Sequence, residues 1–135
     1  MKNHLYSFLT FVIVALANIS NANAQQVNAK IQEVFGDKTQ ELVANDSERL
    51  KFYNDIIENR VTIVESSLND NEKYPKLSSV DLLNKYNASL TRDLVFDPQN
   101  FNPLKYGFIF SSKTPVVYRV DNTNYLIVIQ PQTLK

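Results

Sequence analysis

The sequence predicts an α+β fold, with N-terminal helices packed on a small antiparallel sheet, a C-terminal β-hairpin and a long aromatic loop. Three observations predict it. Apolar residues from Val27 to Ile57 recur at helical spacing. Two apolar runs near the C-terminus flank four turn-forming residues. All five prolines and most aromatic residues lie in the second half of the chain, beyond Tyr74. Neither half is long enough to bury a core alone, so residues 25–135 read as a single domain.

Residues 1–24 stand apart. Lys2, the short apolar run Leu5 to Ala17 and the small-residue exit Asn21-Ala22-Asn23-Ala24 follow the order of a secretory signal peptide. The apolar run is shorter than the about 20 residues a bilayer-spanning helix needs and is interrupted by Ser7 and Thr10, which favours a cleaved leader over the alternative of a retained anchor. Cleavage after Ala24 is expected, with a periplasmic or secreted product and no integral membrane segment left behind.

In the first half, Val27, Ile31, Val34 and Phe35 share one helical stripe that Gly36 can end. A brief helical segment over Thr39 to Ala44 is expected next, capped by Asp37. Ser47 is the expected N-cap of the longest helix, with Leu50, Tyr53, Ile56 and Ile57 inward and Lys51 paired to Asp55. Its stripe could run on through Val61, Val64 and Leu68. The four β-branched residues Val61-Thr62-Ile63-Val64 instead favour a strand from Arg60 to Glu65.

Residues 66–103 carry few regular signals. Ser79 is read as the cap of a short helix through Lys85. Tyr74-Pro75, Asp97-Pro98 and Asn102-Pro103 are expected to be extended or turning, because the residue before proline is pushed out of the helical region. Leu90, Leu94, Val95, Phe96 and Phe101 make this a packed loop. Beyond it, Tyr106, Phe108 and Phe110 alternate as in a strand, and Val116 to Val120 and Tyr125 to Ile129 form the hairpin around Asp121-Asn122-Thr123-Asn124. Leu126-Ile127-Val128-Ile129 is apolar at every position, as suits an inner strand covered on both faces.

Composition narrows the chemistry. The chain has 14 basic and 14 acidic residues, so there is no basic excess for a nucleic acid or an anionic lipid surface. It has no Cys, and its one His is His4, within the leader. Beyond the leader, the chain therefore lacks the commonest general base, the usual zinc ligands and a thiolate nucleophile. No cofactor and no metal are expected. Asp121-Asn122-Thr123-Asn124 lacks the alternating ligands and glycine of a calcium loop, and Asn69-Asp70-Asn71-Glu72 reads as a solvated loop. Ser66-Ser67 and Ser78-Ser79 have no neighbouring base. Asn45 and Asn87 begin glycosylation acceptor triplets, relevant only in a eukaryotic secretory host.

Two function classes remain. The leading expectation is a non-enzymatic binding or structural module that offers its aromatic loop to a protein partner, with Tyr86, Phe101 and Tyr106 as anchors. The alternative is a small carboxylate-dependent hydrolase of envelope glycans, using Glu58 with Glu65 or Asp93 with Asp97. A helical arm over residues 25–60 that docks on a partner helix is a third reading.

Lys73-Tyr74-Pro75-Lys76-Leu77-Ser78, Asn84-Lys85-Tyr86-Asn87, Phe101-Asn102-Pro103-Leu104-Lys105-Tyr106 and Tyr118-Arg119-Val120-Asp121-Asn122-Thr123 resemble stretches of small exported proteins of Bacteroidota bacteria. The resemblance covers roughly residues 60 to 131. It implies a Gram-negative cell-envelope location and lends no activity.

Overall fold

The structure, a computed structural model, describes residues 27–67 and 72–133. The expected leader over residues 1–24 and the Asn69-Asp70-Asn71 stretch lie outside the described residues. Helices are followed by a three-stranded antiparallel sheet, the mixed α+β architecture the sequence predicts.

Helix α1 (Ala29–Phe35) starts at Asn28, whose side chain accepts from the Lys30 amide at 2.9 Å. It buries Ile31, Val34 and Phe35 and ends at Gly36, where φ is +51°. That backbone angle is costly for any residue with a Cβ, which is why glycine sits there. A 3-10 turn (Gly36–Lys38) and a π turn (Gln40–Ala44) follow. Asp37 lies inside the 3-10 turn and caps nothing, contrary to expectation. The joint is held by the Thr39 hydroxyl, which donates to the Gly36 carbonyl at 2.7 Å.

Helix α2 (Ser47–Asp55) is capped by Asp46, one residue earlier than expected. Its carboxylate accepts from the Glu48 and Arg49 amides, both at 3.1 Å, and its charge suits a helix N-terminus better than a hydroxyl does. Lys51 pairs backwards with Glu48 at 3.3 Å, while Asp55 accepts from Asn59. A π turn (Ile56–Arg60) then delivers the chain into β1 (Val61–Glu65). The β-branched run is a strand, as its rotamer stiffness favours.

Strands β2 (Val116–Arg119) and β3 (Tyr125–Ile129) form the hairpin, turning at Asn122, whose φ of +57° asparagine tolerates. The sheet order is β1-β3-β2, so β3 is central. Ile127 and Ile129 are fully buried on its inner face. Its other face is only partly closed: Val128 is half-buried and the flanking Val64 is 38% exposed.

Two expected elements are absent. Ser79 to Lys85 is no helix beyond a 3-10 turn (Leu77–Ser79). The Leu83 amide donates to the Lys105 carbonyl (2.7 Å) and the Gly107 amide to the Asp81 carbonyl (2.8 Å), so this backbone pairs with a distant segment and not with itself. Tyr106 to Phe110 makes one isolated bridge, between Tyr106 and Leu82. The Phe108 amide folds back onto the Tyr106 carbonyl at 2.8 Å, a tight turn that interrupts strand pairing. The alternation survives all the same, with Tyr106 and Phe108 buried and Ile109 exposed.

Two apolar clusters result. One lies against the sheet, around Ile127, Phe101 and Tyr106, and one among the helices, around Ile31, Val43 and Ile56. Val61 and Phe110 pack against both. Arg60 joins them by donating from Nε to the Gln130 carbonyl (3.1 Å) and from Nη2 to the Phe110 carbonyl.

Candidate functional site

The long segment before Pro103 is laid onto these clusters by side-chain-to-backbone hydrogen bonds, some made to its backbone and some by its own side chains. Lys30 Nζ donates to the Phe101 carbonyl at 2.8 Å, Asn87 Nδ2 to the Glu33 carbonyl at 2.7 Å, and Arg92 to the carbonyls of Leu77 and Val80. Asn102 is almost fully buried. Its Oδ1 accepts from the Leu104 amide and caps the 3-10 turn Pro103–Lys105, while its Nδ2 donates to Lys30 and Glu33 on α1.

The turn places Lys105 in the interior, 4% exposed, with Nζ 2.6 Å from Asp93 and 3.5 Å from Glu33. Burial alone pushes the ammonium pKa down. The Asp93 hydrogen bond and the two carboxylate charges outweigh it and leave the group raised. Tyr106, beside this cluster, is raised by burial and by the Asp93 charge.

The three expected anchors separate. Phe101 and Tyr106 are 4% and 1% exposed and stack on each other at 5.6 Å. Their expected role as exposed anchors is corrected: both are core rings, because this segment is ordered by burying them. Tyr86 is 41% exposed. Its ring stacks on Phe35 at 5.4 Å, with Lys85 Nζ 5.3 Å from its centroid.

Tyr86 forms one rim of a cleft of about 230 Å³ whose walls include Phe35, Tyr53, Leu83 and Phe108. Burial raises the Tyr53 phenol and the nearby Tyr86 adds to this, with Arg49 opposing. The cleft is thus carbon-lined, with two phenols near it. It is smaller than the roughly 300–1,000 Å³ of small-molecule pockets, and suits one large side chain better than a cofactor.

A second hollow, of about 290 Å³, is lined by Ser78, Arg92, Asp93, Leu94, Tyr106 and Asp121 among others. Leu94 and Val95 beside it are almost entirely exposed. Burial pushes the Asp121 carboxyl up, but the Ser78 hydroxyl (2.6 Å) and amide (3.0 Å) hold it below its ordinary value.

Of the acids considered for hydrolysis, Asp93 is tied to Lys105. Asp97 accepts from the Asn100 side chain and the Gln99 amide, which lowers its pKa, the opposite of what a general acid requires. Glu58 and Glu65 are solvent-exposed. Among the described residues no helix is long and apolar enough to cross a membrane.

Sequence reasoning missed Lys105, Glu33 and Arg60, and it set Asp93 beside Asp97 where the fold sets it beside Lys105. Only Asn102-Pro103 carried a signal, since an asparagine before proline is a helix-start pattern. No family model matches the chain, and no curated protein and no solved structure matches it.

Proposed function

We propose that the protein is a non-enzymatic binding module of the bacterial cell envelope, exported and cleaved after Ala24. It takes an apolar side chain of a protein partner into the cleft beside Tyr86. The observation that carries this reading is the open, carbon-lined cleft with the half-exposed Tyr86 and Leu83 on it. Rigid aromatic rings give large contact area at low entropy cost, which is what binding surfaces use. The leader and the missing imidazole and thiol chemistry support an exported, non-catalytic role.

Selection of a displayed random-peptide library on the purified protein tests the binding. Peptides with an aromatic or leucine anchor should be enriched, and Tyr86→Ala or Leu83→Asp should weaken them roughly ten-fold or more. No enrichment, or unchanged binding by both variants, would refute the reading. Mass spectrometry of the exported product should find Gln25 at its N-terminus.

A further inference from the structure

The free edge of the sheet carries a second surface, independent of the Tyr86 cleft. The Gln130 amide donates to the Arg60 carbonyl (2.7 Å) and the Ser66 amide to the Asn124 carbonyl (2.8 Å). These two bonds bracket a register in which Thr62 faces Val128 and Val64 faces Leu126. Hydrogen-bonded pairs alternate in an antiparallel ladder, so the even-numbered residues of β1 spend their backbone groups on β3. The amides and carbonyls of Val61, Ile63 and Glu65 therefore point away from the sheet. Among the described residues, no turn or loop backbone group bonds to those of Ile63 and Glu65, while the π turn before the strand directs the Val61 amide back toward Ile56.

Natural edge strands are usually defended by lysine, proline, a bulge or extreme shortness. β1 has no lysine, proline or bulge, and its only charge is Glu65 at one end. The strand is also self-complementary. Antiparallel pairing with a second copy, centred on Ile63, sets Ile63 opposite Ile63, Val61 opposite Glu65 and Thr62 opposite Val64. The ladder pattern then supplies about four to six backbone hydrogen bonds across the two-fold axis.

Charge selects the same partner. Val61 and Ile63 line a hollow of about 260 Å³ that also includes Lys30, Ile57 and Phe101. Lys30 has no carboxylate within ion-pair distance among the described residues, its ammonium resting on the Phe101 carbonyl. Side chains of a cross-strand pair share a face, so Glu65 of the second copy would stand beside Val61, over this hollow. The contact repeats on the other side of the axis.

The geometry points to a homodimer in which β1 pairs antiparallel with β1 of a second copy, joining two three-stranded sheets into one of six. Sedimentation of the full chain as purified, over concentrations up to roughly 1 mM, tests it. Thr62 and Val64 are exposed, so both can be changed without disturbing the core. Thr62→Lys/Val64→Lys places like charges opposite each other twice and should weaken the dimer roughly ten-fold or more. Thr62→Lys/Val64→Glu places opposite charges in the same two pairs and should restore it, with far-UV circular dichroism unchanged in both variants. Dimeric wild type, a weakened first variant and a restored second variant establish the pairing. A monomeric wild type overturns it. Slowly exchanging amides at Ile63 and Glu65 in that monomer would show another segment of this chain on the edge, and fast exchange an edge that stays bare. A first variant that dimerises like wild type, or a second that fails to recover, overturns this register.

Discussion

Asp93→Asn is the most informative single change, because it removes the direct partner of a buried cation and little else. Losing one member of a fully buried ion pair costs about 3–5 kcal/mol, chiefly because the other charge is stranded. Here Lys105 is buried, but the Asp93 side chain is 35% exposed and Glu33 remains 3.5 Å from the ammonium. Water and Glu33 both soften the loss, so the expected cost is about 2 kcal/mol. Lys105→Met should cost less, about 1 kcal/mol, since a partly exposed carboxylate can turn to solvent while the thioether fills the stem's space. The double variant should resemble Lys105→Met alone, giving a coupling of about 2 kcal/mol in a double-mutant cycle. Urea unfolding at neutral pH measures all four corners. Repeating it in high salt should change the coupling little, whereas the exposed Lys51–Glu48 pair should lose what small coupling it has. If Asp93→Asn costs no more than Glu48→Gln, Lys105 is not held by Asp93 in the way its 2.6 Å contact implies.

Gly36→Ala should cost about 1–3 kcal/mol in urea unfolding. The nearest atom a new Cβ would meet is Asn87 Cβ at 3.6 Å, so the penalty comes from the positive φ and not from a clash. Stability should fall at both ends of the pH scale. Lys105 and Tyr106 bind their protons more tightly when folded, so stability present below their ordinary values of 10.5 and 10.0 is lost as pH rises through the raised ones. Asp97 and Asp121 are lowered, so their contribution is present above the ordinary 3.8 and lost as pH falls through the lowered values. Thermal melts across pH check both limbs, and rising stability above pH 10.5 would contradict the Lys105 assignment.

Period-based signals carried best from sequence to structure. The α1 stripe, the β-branched β1 and the hairpin all read through, because each depends on neighbours a few residues away. Ser79 to Lys85 failed for the opposite reason: its partners are Lys105 and Gly107, more than twenty residues on. Tyr106 to Phe110 kept its in-out alternation but lost its ladder to a tight turn centred on Gly107, and that glycine was the one residue in the run that signalled a break. The surface anchors were the least legible. Phe101, Tyr106 and Tyr86 are chemically alike in sequence, and only the path of the long segment decides that two are enclosed while one stays open. Lys105 was hidden likewise, since a lysine is ordinarily solvated unless distant acids converge on it.

Among the described strands, the one that closes the sheet comes last in the chain. Among the described strands β1 and β2 are not neighbours; each takes its strand partner from β3. Until Tyr125 to Ile129 emerge, β1 has no ladder to join, and α1 already waits on Phe101 and Asn102, some seventy positions downstream. A chain of this topology gains no sheet until β3 is present, and a truncation ahead of Tyr125 leaves β1 and β2 with no strand between them.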